Sequence, residues 1–165
     1  MSLDSKLELM QKAKEATAKT KAYERLMLLF DEGTFVELDA FAKSGENEAE
    51  ALAGFGAVDG CPVYAFAQNS DVSGGAMSKA QAAKIRKVYD LAVKTGTPVI
   101  GLYDSVGARL KEGADMLASF GDMLLFGNNL SGVVPQISVV LGPCLGTSAL
   151  IAASADFVVM SQKGQ

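Results

Sequence analysis

Apolar residues recur at helical spacing from Leu3 to Phe30, with Leu3, Leu7, Met10 and Ala13 on one side. This predicts one long helix, closed by Asp31-Glu32-Gly33. The mostly polar stretch from Ala42 to Glu50 reads as a loop. Ala53–Val58 and Pro62–Ala67 then flank Asp59-Gly60, the strongest hairpin signal in the chain. After Asp71-Val72-Ser73-Gly74-Gly75, a helix is predicted from about Ser78 to Lys94. Ser78 is its N-cap, and Ala82, Ile85, Val88, Tyr89 and Ala92 face inward. Lys79, Lys84, Arg86 and Lys87 read first as a solvated helix face, with phosphate contact as the alternative. Strand Pro98–Tyr103, helix Gly113–Phe126, strand Gln136–Leu141, helix Thr147–Ala153 and a second buried strand, Phe157–Met160, complete the pattern. Strands alternating with helices predict a layered α/β domain with much parallel pairing.

From Met123 to Ala155 no residue is charged, a span long enough to cross a bilayer. Asn128, Asn129, Pro135, Gln136, Pro143 and several glycines divide it into a helix end, a turn, a strand and a second helix, so it reads as buried core and not as a membrane span. A length of 165 residues fits one domain. Ser161–Gln165 stops just after the last strand, where further chain or a partner is expected.

A net charge of −4 without a long basic block makes nucleic acid an unlikely partner. Asp4, Lys6 and Glu8 interrupt any apolar leader, and cytoplasm is the default. Cys61 and Cys144 form no CxxC and read as small buried side chains. With no histidine, the usual metal clusters are missing, no metal is expected, and Cys144 has no base to activate it as a nucleophile. Gly54–Gly60 lacks the GxGxxG spacing and leads into a hairpin, which rules out a dinucleotide fingerprint.

The chemistry gathers in two segments, Asp104-Ser-Val-Gly-Ala-Arg-Leu-Lys-Glu-Gly113 and Ser131–Thr147. Each reads as a strand that ends in a glycine-containing turn and enters a helix. Such turns leave backbone N–H groups free to hold a negatively charged oxygen, and two of them suggest an oxyanion hole. For a single turn, tight helix-on-sheet packing is the better explanation; the pairing of two favours function.

With Tyr23–Glu37 as an opening helix, these segments resemble the N-terminal domain of the biotin-dependent acyl-CoA carboxyltransferases and their decarboxylase relatives. The resemblance implies a crotonase-like (ClpP/crotonase) α/β spiral of ββα units, incomplete at its C-terminus. Residues 1–33 would form a helical extension, and residues 34–165 the first half to two-thirds of the N-terminal domain. It implies a short acyl-CoA substrate whose thioester enolate is held by backbone amides during carboxyl transfer to or from biotin. The donors implied are Val106 or Gly107 in the first turn and Gly146 or Thr147 in the second. Val106 and Thr147 stand where the family often has glycine, which bears on the acyl group accepted.

Gly74, Gly75, Ala76 and Ala108 are implied as contacts for CoA or the acyl pocket, with a helix-capping turn as the equal alternative at Gly74–Ala76. Arg109, Lys111 and Glu112 lie beside the first turn, where an Arg–carboxylate pair ordering the turn explains them equally well. Ala76-Met77-Ser78-Lys79 only approaches a biotin-attachment motif, so biotin is expected on a separate carrier protein. The resemblance further implies a homo-oligomer whose site is completed by a C-terminal carboxyltransferase domain. A crotonase-type hydratase or isomerase, using Asp104 or Glu112, and a noncatalytic assembly subunit remain the alternatives.

Overall fold

The protein is described here by a computed structural model covering residues 3–42 and 49–165. Most of the segment read as a polar loop therefore lies outside the described residues. One six-stranded sheet runs in chain order: β1 (Val36–Glu37), β2 (Ala51–Val58), β3 (Cys61–Gln68), β4 (Val99–Ser105), β5 (Gln136–Cys144) and β6 (Phe157–Met160). The first three strands pair antiparallel, and β3 through β6 pair parallel. At the β2–β3 turn, Asp59 and Gly60 are left-handed, and the Asp31 carboxylate accepts both of their N–H groups at 3.1 and 2.8 Å.

Helices α3 (Lys79–Thr95), α4 (Gly113–Leu130) and α5 (Thr147–Ala153) cover one face of the sheet. All five inward residues expected of α3 are buried, and the Ser78 hydroxyl caps it by accepting the Gln81 N–H at 3.2 Å. Helix α4 continues past the expected stop at Phe126, because Leu130 is fully buried beneath it and its packing outweighs the weak helix propensity of Gly127-Asn128-Asn129.

The N-terminal segment is two helices instead of one, α1 (Leu3–Thr17) and α2 (Lys21–Leu29). Thr20 separates them: its hydroxyl donates to the Thr17 carbonyl and accepts the Tyr23 N–H, offering the backbone a local alternative to continuing the helix. Helix α2 packs Ala22 and Leu26 on the other face of the sheet with Leu52, Ala65, Ile100 and Leu102. The apolar side expected of Leu3–Ala13 buries nothing, since no residue of α1 is buried.

Two further expectations fail. Every residue of β6 is exposed, because among the described residues β5 flanks the strand on one side only and α2 does not reach that end of the sheet. Cys61 is exposed at the hairpin, whereas Cys144 is buried and its thiol pushed up by that burial, away from the thiolate a nucleophile needs. No described helix is long and apolar enough to cross a membrane.

Candidate functional site: two turns at the carboxyl ends of β4 and β5

Parallel strands deliver their following turns to one edge of the sheet, and here the turns after β4 and β5 meet. Register holds from Val99↔Gln136 to Tyr103↔Val140, then slips so that Ser105 pairs with Cys144. The extra length of β5 opposite Asp104 forms a bulge, a device that re-aims backbone at a site. The Leu145 N–H donates to the Ser105 carbonyl at 3.1 Å, and the Cα of Gly107 faces the Leu145 carbonyl closely enough that a Cβ there would touch it at 3.4 Å. The two turns are therefore in contact.

Which amides remain available differs from the sequence expectation in the first turn. The Val106 N–H donates to the Gly74 carbonyl at 3.1 Å, and the Gly107 N–H to Ser105 Oγ at 3.1 Å. Both expected donors are spent within the fold. Ala108 sits between them and the next bonded amide. It forms a parallel bridge with Met77, in which Met77 N–H bonds the Gly107 carbonyl and Arg109 N–H bonds the Met77 carbonyl. In such a bridge the N–H of the middle residue points away from its partner strand, so the Ala108 N–H, on the side opposite Met77, has no partner among the described residues. In the second turn the N–H groups of Gly146 and Thr147 have no partner among the described residues, as the opening of α5 requires.

The Gly74-Gly75-Ala76 corner is built on a 3-10 turn, Ser73–Gly75, with Gly75 N–H on the Val72 carbonyl and the N–H of Ala76, its C-cap, on the Ser73 carbonyl. Its neighbour, the start of α3, is filled as well: Glu112 Oε2 accepts the Lys79 N–H at 2.7 Å. The N–H groups of Gly75 and Ala76 are thus engaged in the turn itself, as the capping alternative expects, whereas that of Ala108 has no partner among the described residues.

Two ion pairs grip the first turn, through Arg25 and Glu50, neither of which the sequence singled out. From α2, Arg25 reaches Asp104 at 2.7 Å, and the Asp104 side chain is about nine-tenths buried against the Cα of Gly142. From just ahead of β2, the buried Glu50 carboxylate contacts both the Arg109 guanidinium and the Ser78 hydroxyl. Arg109 also approaches Glu112 at 3.9 Å. The Arg–carboxylate alternative considered for Arg109 is what the structure contains. Glu50 escaped notice because it closes a polar stretch, where a buried carboxylate leaves no periodic signal.

Of the basic residues on α3, Lys79, Arg86 and Lys87 pair at the surface with Asp115, Asp122 and Asp39. Lys84 departs from that solvated face. It is buried, donates to the Ala51 carbonyl at 2.9 Å and lies 3.6 Å from Glu37. Burial, opposed by Glu37, pulls its ammonium below the ordinary value; burial, opposed by Lys84, pushes the Glu37 carboxyl up from 4.5.

Lys84→Met would leave Glu37 without its cation and raise its carboxyl further. A carboxyl raised by folding contributes stability at acid pH that is lost as pH rises through its folded value. The variant should be about 2–4 kcal/mol less stable than the parent at neutral pH. The deficit should shrink toward pH 4.5. Denaturant titrations across that range test this, and a deficit independent of pH would refute it.

The mixed α/β sheet and its helices are those of the crotonase-like carboxyltransferase structures. The chain superimposes on the crystal structure of the transcarboxylase 12S hexamer, with methylmalonyl-coenzyme A and methylmalonic acid bound, at a TM-score of 0.91. Identity is 33% over 99% of this chain and 37% of that one. The family model for the carboxyl transferase domain matches residues 13–165, and the chain belongs to that family. It is 46% identical over 155 residues to the methylmalonyl-CoA decarboxylase subunit alpha of Propionigenium modestum, covering 88% of this chain and 30% of that protein. It is 41% identical over 160 residues to the human mitochondrial propionyl-CoA carboxylase beta chain, covering 90% and 30%. The chain thus spans about 30% of the length of these curated relatives.

Proposed function

We propose that this chain is the N-terminal, acyl-CoA-binding part of a biotin-dependent carboxyltransferase or decarboxylase subunit that acts on a short acyl-CoA. The observation that carries this reading is the contact between two turns whose Ala108, Gly146 and Thr147 amides have no partner among the described residues. When the bond between the acyl α-carbon and its carboxyl group breaks, the electron pair moves onto the thioester oxygen. Amides already aimed there stabilise that charge, and loss of one such donor typically costs about 2.7–4 kcal/mol of barrier. No titrating side chain is needed for this step, which suits a chain without histidine.

Biotin supplies the ring nitrogen that accepts or gives up the carboxyl group. Lys79 is unsuited to carry it, because residues 76–79 run into α3 instead of a hairpin tip and Met77 is fully buried. The carrier protein, the C-terminal carboxyltransferase domain, a homo-oligomeric state and a cytoplasmic setting belong to the same proposal.

The hydratase or isomerase alternative is less well supported, since it needs a carboxylate free to move protons. Asp104 is engaged by Arg25, and Glu112 by the Lys79 amide. The test is transfer of labelled carboxyl from methylmalonyl-CoA to free biotin by the full-length subunit. Transfer is expected, together with no hydration of crotonyl-CoA. Absence of transfer with intact CoA binding by calorimetry would overturn the catalytic reading, and absence of binding to acetyl-, propionyl- and glutaconyl-CoA would favour the assembly role.

A further inference from the structure

Resting on that acyl-CoA reading, we infer that Glu50 is a positioning residue for the first turn, acting through Arg109 on the Ala108 amide. Among the described residues the Ala108 N–H is part of no hydrogen bond that would fix its direction; its aim is inherited from the residues on either side. Gly107 is held through its carbonyl on Met77 and its N–H on Ser105 Oγ. Arg109 is held through its N–H on Met77 and through its guanidinium on Glu50.

Glu50 is itself immobilised. Its side chain is almost wholly buried, its carbonyl accepts Asn69 N–H at 2.9 Å and Gln81 Nε2 at 2.8 Å, and its carboxylate also meets the Ser78 hydroxyl that caps α3. One carboxylate therefore locks the start of β2, the cap of α3 and the exit of the first turn into a single unit. Buried charge pairs contribute little net stability, and an oxyanion donor needs its direction fixed before the charge develops.

Glu50→Gln keeps the shape and removes the charge that anchors Arg109. In the full-length subunit, kcat per CoA-binding site, counted by calorimetry so that unfolded protein is excluded, should fall on the order of 10- to 100-fold, the scale of a small misplacement of a catalytic group. KM for methylmalonyl-CoA should change by no more than about 3-fold, because an interaction made in the transition state is being lost. Residues acting as one unit give non-additive losses, so the double variant Glu50→Gln with Arg109→Gln should lose no more than the worse single variant.

If Glu50→Gln does not fold, Arg109→Lys carries the test: it keeps a cation for Glu50 but not the planar fork, and should lower kcat with KM preserved. Unchanged kcat per competent site in either variant, or additive losses in the double variant, would overturn the positioning role while leaving the functional reading intact. Wild-type subunit that moves no carboxyl group would overturn the functional reading, and this inference with it.

Discussion

Gly75→Ala should destabilise the protein by about 4 kcal/mol or more, the range reserved for backbone that has nowhere to go. Gly75 lies at φ 72°, where an L side chain is already strained. A Cβ there would fall on the Asp104 carbonyl oxygen, with the Asp104 carbonyl carbon and Ser105 Cα each 3.2 Å away. All three are backbone atoms at the end of β4, so relief requires moving the strand that presents the first turn. The neighbouring Gly74→Ala is the internal control. Its φ of 64° carries similar strain, but its Cβ would meet only the Val106 methyl groups, at 3.2 Å. A side chain can rotate, and about 1–2 kcal/mol is expected. Denaturant titration of both variants decides the matter: equal losses would mean that the approach of Gly75 to β4 is not what holds this corner.

That comparison also shows where sequence reasoning reaches and where it stops. The inward face of α3, its Ser78 cap and the Asp59-Gly60 hairpin follow from local rules, because periodicity, capping and turn chemistry are decided within a few residues. The two glycine turns are legible for the same reason. The identity of the free amide is not: Val106 and Gly107 look like donors until Gly74 and Ser105 Oγ are seen to occupy them, and Ala108 is freed by its bridge to Met77, some thirty positions earlier. Lys84 fits a solvated face by composition and becomes buried only because Glu37 and the Ala51 carbonyl arrive from other strands. The β6 run reports an ability to be buried, not the presence of a neighbour to bury it.

Gly142→Ala should be the most damaging single methyl added on the β5 side. The Asp104 carboxylate lies over the Gly142 Cα, where a Cβ would collide with Oδ1 and stand 2.8 Å from Cγ. Side chains usually yield to such an intrusion, but Asp104 is held by Arg25 at 2.7 Å, and its own N–H is fixed on Gln68 Oε1 at 3.0 Å. To make room, the carboxylate must leave Arg25. Overpacking of about 1–3 kcal/mol is then joined by part of the cost of breaking a buried pair, for a total of about 3–5 kcal/mol. Asp104→Ala alone removes the obstacle and strands Arg25, whose side chain is 22% exposed and can regain water, so a smaller loss of about 1–3 kcal/mol is expected. The double variant should be no less stable than Asp104→Ala alone, because the added methyl now enters vacated space; the cycle should report a coupling of at least about 2 kcal/mol. Simple additivity would show that Asp104 is not wedged against β5, leaving the Leu145 N–H on the Ser105 carbonyl and the approach of Gly107 to Leu145 as the contacts that join the turns after β4 and β5.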